Sequence, residues 1–343
     1  MNIMTNQESV YSSSRETYDL VKVSINDKAE WEVALRNLNV SVYFSWEYLS
    51  AISDNYPVPI YLLKIYNCNG GIVLFYTTRT KDNKVFDIYS PYALDGIYHW
   101  GDNTGEAFGF LLNYFKENNV VTYYLLVHPG FVKSSNAFSL HRTVYALDIN
   151  KPIDEVWKKM HNNHRYEINK FSKCEHKFIE NKSALADIFI KLYQNTIDRV
   201  NASNTYHFSK NTLHKLINAE STIILGASLG GKIECVVIFL VQNDWAEYFI
   251  NASTIEGRFA TRALIWEVIK RLKNLGVRYI NLGGGIQEND HLDQFKRRFG
   301  GEAVSIGLYK GIASKNDYDR LCLENNVNTE STSYFPPYWA NQK

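Results

Sequence analysis

Several features that would quickly settle the class of a chain are scarce or missing here. Only four cysteines occur in 343 residues (Cys68, Cys174, Cys235 and Cys322), far apart, with no CxxC pair and no Cys/His ligand spacing. That excludes a disulfide scaffold and a zinc-finger type of site. A reduced protein without a metal is the expectation. The 37 basic and 36 acidic side chains almost cancel, for a formal net charge of +1. No overall basic field therefore draws the chain to nucleic acid or to an anionic membrane. No apolar run reaches the ~20 residues that a bilayer span needs. The opening MNIMTNQESV lacks the apolar core of a secretory signal, so a cytoplasmic setting is expected.

Aromatic residues, by contrast, are plentiful: 24 Tyr, 18 Phe and 7 Trp suit large cores and a cleft with flat walls. The length fits roughly two domains. An internal echo supports this. Two β-rich runs, Pro59–Tyr66 and Ile72–Arg79, flank Asn69-Gly70-Gly71; a third, Val85–Ser90, precedes a helical stretch, Thr104–Asn118, and a strand, Val120–Val127. About 160 residues later the order returns: Thr222–Leu229 and Lys232–Val241 around Gly230-Gly231, then Trp245–Ala252, a helix Thr261–Leu275 and a strand Val277–Leu282. A nearly constant offset with one β-β-β-α-β order implies two copies of one domain.

The rest of the chain is read as follows. Residues 1–15 are a polar, mobile tail. Residues 16–135 form the first domain, with a strand at Tyr18–Ile25, an Asp27-capped helix to Leu38 and a Ser45-capped helix Trp46–Ser53. The Pro/Gly/Ser-rich stretch from His128 to Asn136 marks the boundary. Residues 136–343 form the second domain. It opens with a strand, Leu140–Ile149, followed by helices at Asp154–Lys173, at Ala184–Val200 capped by Ser183, and at a short Ser209-capped segment. After the second meander, Gly276 closes the crossover helix as a left-handed residue. A helix near Leu292–Phe299, a strand Ala303–Lys310, a helix near Asp317–Asn325 and an irregular YFPPYW tail complete the chain.

A three-strand meander, a crossover helix and one more strand is the core order of the Gcn5-related N-acyltransferase (GNAT) fold. Within it, several segments together resemble the Fem-type (FemABX-like) branch, the tandem-domain transferases typified by enzymes that build peptidoglycan cross-bridges. These are Ser90-Pro91-Tyr92 with Gly96, Asn163-His164-Arg165 through Lys170, Asp198–Val200 with Tyr206-His207-Phe208, Asn281–Gly285, and Phe295–Gly300. The size is similar to that of a subgroup of sugar N-acyltransferases of surface-polysaccharide clusters. The resemblance implies an α/β (α+β) fold of two tandem GNAT-like domains, each a mixed, mostly antiparallel sheet flanked by helices. It also implies an acyl donor at the splayed strands of domain two and an acceptor in a cleft between domains.

Amide formation from a thioester needs a neutral amine, an oxyanion stabiliser and a route for two protons. On Trp245–Ala252, Glu247, Phe249 and Asn251 are expected on one face and Tyr248 and Ile250 on the other. Glu247 or Tyr248 is a candidate proton relay, or a plain sheet residue. Lys296, in Phe295-Lys296-Arg297-Arg298-Phe299-Gly300, is by resemblance close to the acyl-transfer point, where a compact ammonium suits a developing oxyanion; the alternative is an exposed basic helix end. His207 between two aromatics is a candidate base or a structural histidine, and His291 with Asp290 stands no better.

Donor binding is assigned to Arg258, Phe259, Ala260, Thr261 and Arg262 at the start of the second crossover helix, because helix-start N–H groups and arginines suit a diphosphate. Asn281, Gly283 and Gly284 would border the same donor. The segment lacks the central glycine of the superfamily's pyrophosphate loop, and the alternative reading is that its arginines only solvate the helix start. On the acceptor side the resemblance places Trp46, Tyr92, His164, Arg165 and Tyr206, with arginine and aromatic groups suited to a nucleotide-linked sugar. The expected activity is transfer of an acetyl or 3-hydroxyacyl group from a coenzyme A thioester to the amino group of a nucleotide-linked amino sugar for surface-polysaccharide biosynthesis. No metal, nucleic acid or membrane partner is expected. The alternatives are an aminoacyl-tRNA-dependent cross-bridge transferase, which would bring tRNA as a partner, and a binding protein without catalysis.

Overall fold

The computed structural model describes residues 11–12, 17–102, 104–132, 135–330 and 334–340. Two compact units result. One comprises Met1–Trp46, Tyr56–Leu140 and Gly307–Lys343; the other comprises Glu47–Asn55 and His141–Ile306. This departs from the expected division at 135/136. The C-terminal segment counts with the first unit, and a short stretch after Trp46 counts with the second.

In chain order, the elements up to the boundary are β1 (Tyr11–Ser12), β2 (Thr17–Ser24), α1 (Lys28–Leu35), α2 (Trp46–Ile52), β3 (Tyr61–Asn67), β4 (Gly70–Thr80), β5 (Phe86–Tyr89), β6 (Ile97–Gly101), α3 (Thr104–Glu117) and β7 (Val120–Val127). There follow β8 (Ser139–Asp148), α4 (Ile153–Lys159), α5 (Asn162–Phe171), β9 (His176–Ile179), α6 (Lys182–Val200), α7 (Lys210–Asn218), β10 (Thr222–Leu229), β11 (Lys232–Gln242), β12 (Trp245–Ser253), α8 (Ala260–Asn274), β13 (Tyr279–Asn281), α9 (His291–Arg297), β14 (Glu302–Ile312) and α10 (Lys315–Glu324).

The expected duplication is present in the ladders. In the first unit β3–β4 and β4–β5 pair antiparallel and β5–β7 parallel. In the second, β10–β11 and β11–β12 are antiparallel and β12–β13 parallel. Each meander then gains one more antiparallel neighbour. For β13 it is β8; for β7 it is the far end of β14, from Gly307↔Val127 to Ile312↔Thr122. This pairing assigns the C-terminal segment to the first unit. There Asp87 is buried and accepts hydrogen bonds from Thr122 Oγ1 (2.6 Å), the Tyr338 hydroxyl (2.6 Å) and Trp339 Nε1 (2.7 Å). The YFPPYW tail is thereby fixed, with a short 3-10 turn at Pro337–Trp339. Residues 47–55 join the second unit through Tyr48, edge-on to Phe249, and Asp54, which accepts from Asn211 and Lys215.

Other expectations shift for identifiable reasons. Of the tail, Tyr11–Ser12 pairs with β2 as β1; its other residues lie outside the described ones. β6 was unexpected and pairs with the first half of β4, leaving β5 the second half. The expected helix Asp154–Lys173 is two helices, because Met160 and His161 take extended backbone angles between them. α6 is capped by Asn181, whose side chain accepts from Ala184 N, and not by Ser183. Asp27 and Ser209 cap α1 and α7 as expected. Gly276 is left-handed, with φ +82. The second unit's core sits where Val237 and Phe239 of β11 meet Leu264, Ile265, Val268 and Ile269 of α8, one helical face against one strand face. No helix among the described residues is long and apolar enough to cross a membrane.

Candidate functional site

The site is built on the parallel pair of the second unit, β12 and β13. β12 and β13 run together only at Trp245↔Tyr279, Ala246↔Ile280 and Glu247↔Asn281. β13 ends there, while β12 continues to Ser253. The two strands therefore part beyond Glu247 and Asn281, as the sequence reading expected. β12 also carries a bulge. Phe239 faces Tyr248 and Ile238 faces Ile250, so Phe249 is the extra residue. A bulge inverts the alternation beyond it, which corrects the expected faces: the Tyr248 hydroxyl donates to Asn251 Oδ1 at 2.7 Å, along one side of the strand. Burial pushes that phenol well above its usual range. A phenol so placed holds Asn251 and is poorly suited to relaying protons.

Glu247 is buried opposite Asn281. Asn281 Nδ2 donates to Glu247 Oε2 (2.8 Å), and Asn281 Oδ1 accepts the Gly283 N–H (2.8 Å). Here the pair acts as a brace on the glycine loop. Gly283 has φ +71, and a Cβ on it would lie 2.8 Å from Lys296 Nζ. The backbone angle favours glycine here, and a Cβ would also press on the ammonium beside it. Lys296 Nζ donates to the Gly284 carbonyl at 2.7 Å, its sole hydrogen-bond partner among the described residues.

The lysine is aimed by α9. Asp290 caps this helix, accepting from the N–H groups of Asp293 (2.7 Å), Ile286 (2.8 Å) and Gln287 (2.9 Å). Those amides hold its carboxyl below the usual range. Burial pushes the Lys296 ammonium down to about 8; Arg142 reinforces this, and Asp290 and Asp293 oppose it. Asp293 is buried and accepts from the Tyr145 hydroxyl at 3.0 Å. Arg142, Tyr145 and Asp293 were not anticipated. Asp293 and Tyr145 are 148 positions apart, a pairing that no local pattern in the sequence announces.

The donor group fares differently. A 3-10 turn, Glu256–Phe259, precedes α8, and the Ala260 N–H returns to the carbonyls of Gly257 and Arg258. The Gly257 N–H donates to Thr254 Oγ1 (2.9 Å). Two amides of the helix start expected to cradle a diphosphate, those of Gly257 and Ala260, are thus used within the turn itself. Ala260 is fully buried, Thr261 Oγ1 lies 3.4 Å from Cys235 Sγ, and Phe259 packs on the core. Arg258 is exposed. Arg262 is half-buried and turns inward: its Nε donates to His164 Nδ1 (3.3 Å), and its guanidinium lies 5.3 Å from the Phe295 ring centre.

His164 is accordingly a core histidine and not an acceptor group. Its Nε2 meets the Phe295 carbonyl at 2.9 Å, and its ring lies edge-on to Phe299. Burial pushes its imidazole down to about 4; the Phe295 carbonyl opposes this, and the Arg262 and Arg298 charges add to it. His207 is exposed, with Nε2 against the Ala202 carbonyl of its own loop (3.2 Å), which suits a structural histidine. Arg165 bonds Asn162 on its own helix, and the Tyr206 carbonyl accepts from the Tyr193 hydroxyl. In the first unit, Trp46 Nε1 donates to the Ile25 carbonyl (2.7 Å), and the Tyr92 N–H donates to the Tyr56 hydroxyl (2.6 Å). The structure thus brings together Lys296, Gly283, Gly284, Asn281 and Glu247, and joins Arg262 to His164. Among the described residues no cluster of three His, Cys, Asp or Glu side chains is placed to hold a metal.

No family model and no curated protein matches the sequence. Solved structures do match the fold. A crystal structure of FemX superposes with a TM-score of 0.64 and 12% identity, covering 88% of this chain and 99% of that one. The chain has the tandem GNAT-like fold. The C-terminal domain of a putative lysylphosphatidylglycerol synthetase from Agrobacterium fabrum gives 0.56 at 11% identity, over 88% of this chain and 96% of that one. L-PGS from Bacillus licheniformis gives 0.54 at 12% identity, over 82% and 91%. At such identities the likeness is one of fold.

Proposed function

We propose that the chain is a transferase that moves an acyl group from an activated donor to an amine, with the transfer point at the mouth of the β12–β13 pair. The observation that carries this reading is Lys296: a largely buried ammonium at the place where two parallel strands part, with one carbonyl as its partner. An amine attacks the donor's carbonyl carbon and the carbonyl oxygen becomes an oxyanion, which the ammonium stabilises. Collapse of the adduct re-forms the carbonyl and expels the donor's thiol or hydroxyl, which takes up the proton that the amine gives off. Glu247 and Asn281 position the glycine loop beside the lysine, and in this reading carry no proton.

The sequence reading favours a coenzyme A thioester as donor and a nucleotide-linked amino sugar as acceptor. A second donor, an aminoacyl ester of tRNA, is favoured by one observation. The Gly257 and Ala260 amides are used within the turn before α8 and Arg262 Nε is turned to His164, so fewer groups at this helix start are left for the diphosphate of coenzyme A than the sequence reading supposed. We therefore place the aminoacyl ester first. The test is to incubate the protein separately with acetyl- or 3-hydroxyacyl-CoA plus nucleotide amino sugars, and with charged tRNA plus peptidoglycan precursors. Thiol release assigns the first donor and loss of the aminoacyl label from tRNA the second. Turnover in neither, with folded protein, leaves the binding-protein alternative.

A further inference from the structure

A groove of about 470 Å³ opens on the second unit between α4, α5, β9 and α8. That is ample for a small molecule; ligand pockets run from about 300 to 1,000 Å³. None of the residues discussed at the transfer point lines it. Its apolar surface is largely aromatic. Trp157 and Trp266 lie with ring centres 4.9 Å apart, and Phe171 packs with His176 (4.3 Å) and Phe178 (6.0 Å).

The polar groups of the lining separate into used and unused. Glu267 is tied to Lys270 (2.5 Å) and Arg271 (3.2 Å). The His176 Nδ1 is against the Cys174 carbonyl (2.8 Å). The indole N–H groups of Trp31, Trp46 and Trp339 each have a protein acceptor. Those of Trp157 and Trp266 have none among the described residues, and neither do the side-chain amide of Asn169 or the carboxylate of Asp154. Flat apolar faces beside uncommitted donors and acceptors match a planar heterocycle with a mixed edge. Asn169 and Asp154 are exposed at the rim, open to the edge of a bound ring; a purely aliphatic ligand would make no use of them, and a simple anion would gain nothing from the aromatic faces.

We propose that this groove binds a nucleobase, stacked on Trp157 or Trp266 and read at its edge by Asn169 and Asp154. The base could arrive on a free nucleotide or within an RNA strand, and the test separates the two. Adenosine and uridine, and separately a short single-stranded oligoribonucleotide, are titrated into the protein by calorimetry and by tryptophan fluorescence. At least one probe is expected to bind and to quench the emission. Trp266→Leu is expected to weaken that binding about tenfold or more, the size of a lost base stack. The exposed rim variants Asn169→Ala and Asp154→Asn, which disturb no core contact, are expected to change the preference between adenosine and uridine. Binding of the oligonucleotide alone assigns the base to RNA. The proposal is overturned if no probe binds at millimolar concentration. It is equally overturned if affinity is unchanged in Trp157→Leu and Trp266→Leu proteins that melt cooperatively. Neither result bears on Lys296 or on acyl transfer.

Discussion

At the scale of single residues, Lys296 presents opposed effects that can be measured apart. Its ammonium has its proton pulled off at about pH 8, against an ordinary value of 10.5. The folded state thus favours the neutral form. Below about pH 8 both folded and unfolded chains hold the proton and the cost of burying the charge is complete. Between 8 and 10.5 the unfolded chain binds more protons, so stability rises with pH. Lys296→Met removes the buried charge; its melting temperature at pH 7 is expected to exceed the parent's, while turnover falls by about 10²–10³-fold, as for loss of an oxyanion donor. Parent turnover is expected to decline above about pH 8 as the ammonium is lost, a decline that Lys296→Arg, partly active, would not share. Glu247 gives a second test. If it braces Asn281, Glu247→Gln keeps an acceptor oxygen and most of the activity, whereas Asn281→Leu loses it. A proton relay would reverse that ranking. Sequence alone made Lys296 and the glycines legible because they lie within 14 positions of one another. It missed Tyr145 and Asp293, whose contact is made only by folding.

At the scale of elements, periodicity located strands and helices well wherever one face was apolar, and β7 and β10 have the bounds that were expected. It failed where local chemistry competes. The break between α4 and α5 falls within an uninterrupted helical pattern, since both Met160 and His161 are ordinary helix residues and only their backbone angles part the two helices. The bulge at Phe249 is likewise invisible in the residue types, yet it reverses which side chains share a face. α9 carries a prediction of its own. Asp290 accepts three loop and helix N–H groups, so Asp290→Ala is expected to lower the midpoint of chemical denaturation, as other lost caps do. Because α9 aims Lys296, turnover should fall in the same variant. A drop in stability with unchanged turnover would detach the helix from the chemistry.

At the scale of the whole molecule, the duplication was readable from the spacing of the two meanders, but the sharing of segments between units was not. Nothing in the composition of β14 tells that Gly307–Ile312 pairs with β7. A fragment ending at residue 135, the boundary read from composition, lacks that strand and the segment that satisfies Asp87. Its circular dichroism is expected to show no cooperative melt. Removing residues 334–343 from the full chain leaves Asp87 with Thr122 but without Tyr338 and Trp339. Each lost bond to a charged group is worth about 1.5–3 kcal/mol, a loss that differential scanning calorimetry would register. The late arrival of β14 also has a consequence for how the protein is made. β7 leaves the ribosome about 180 residues ahead of its partner. At about 5–20 residues per second the nascent chain waits on the order of 10–40 s with an open strand edge. During that wait the second unit has to be translated past it, and any chain released early keeps the edge bare for aggregation or proteolysis. The first unit is begun first and finished last, so its completion reports that translation has passed through the second.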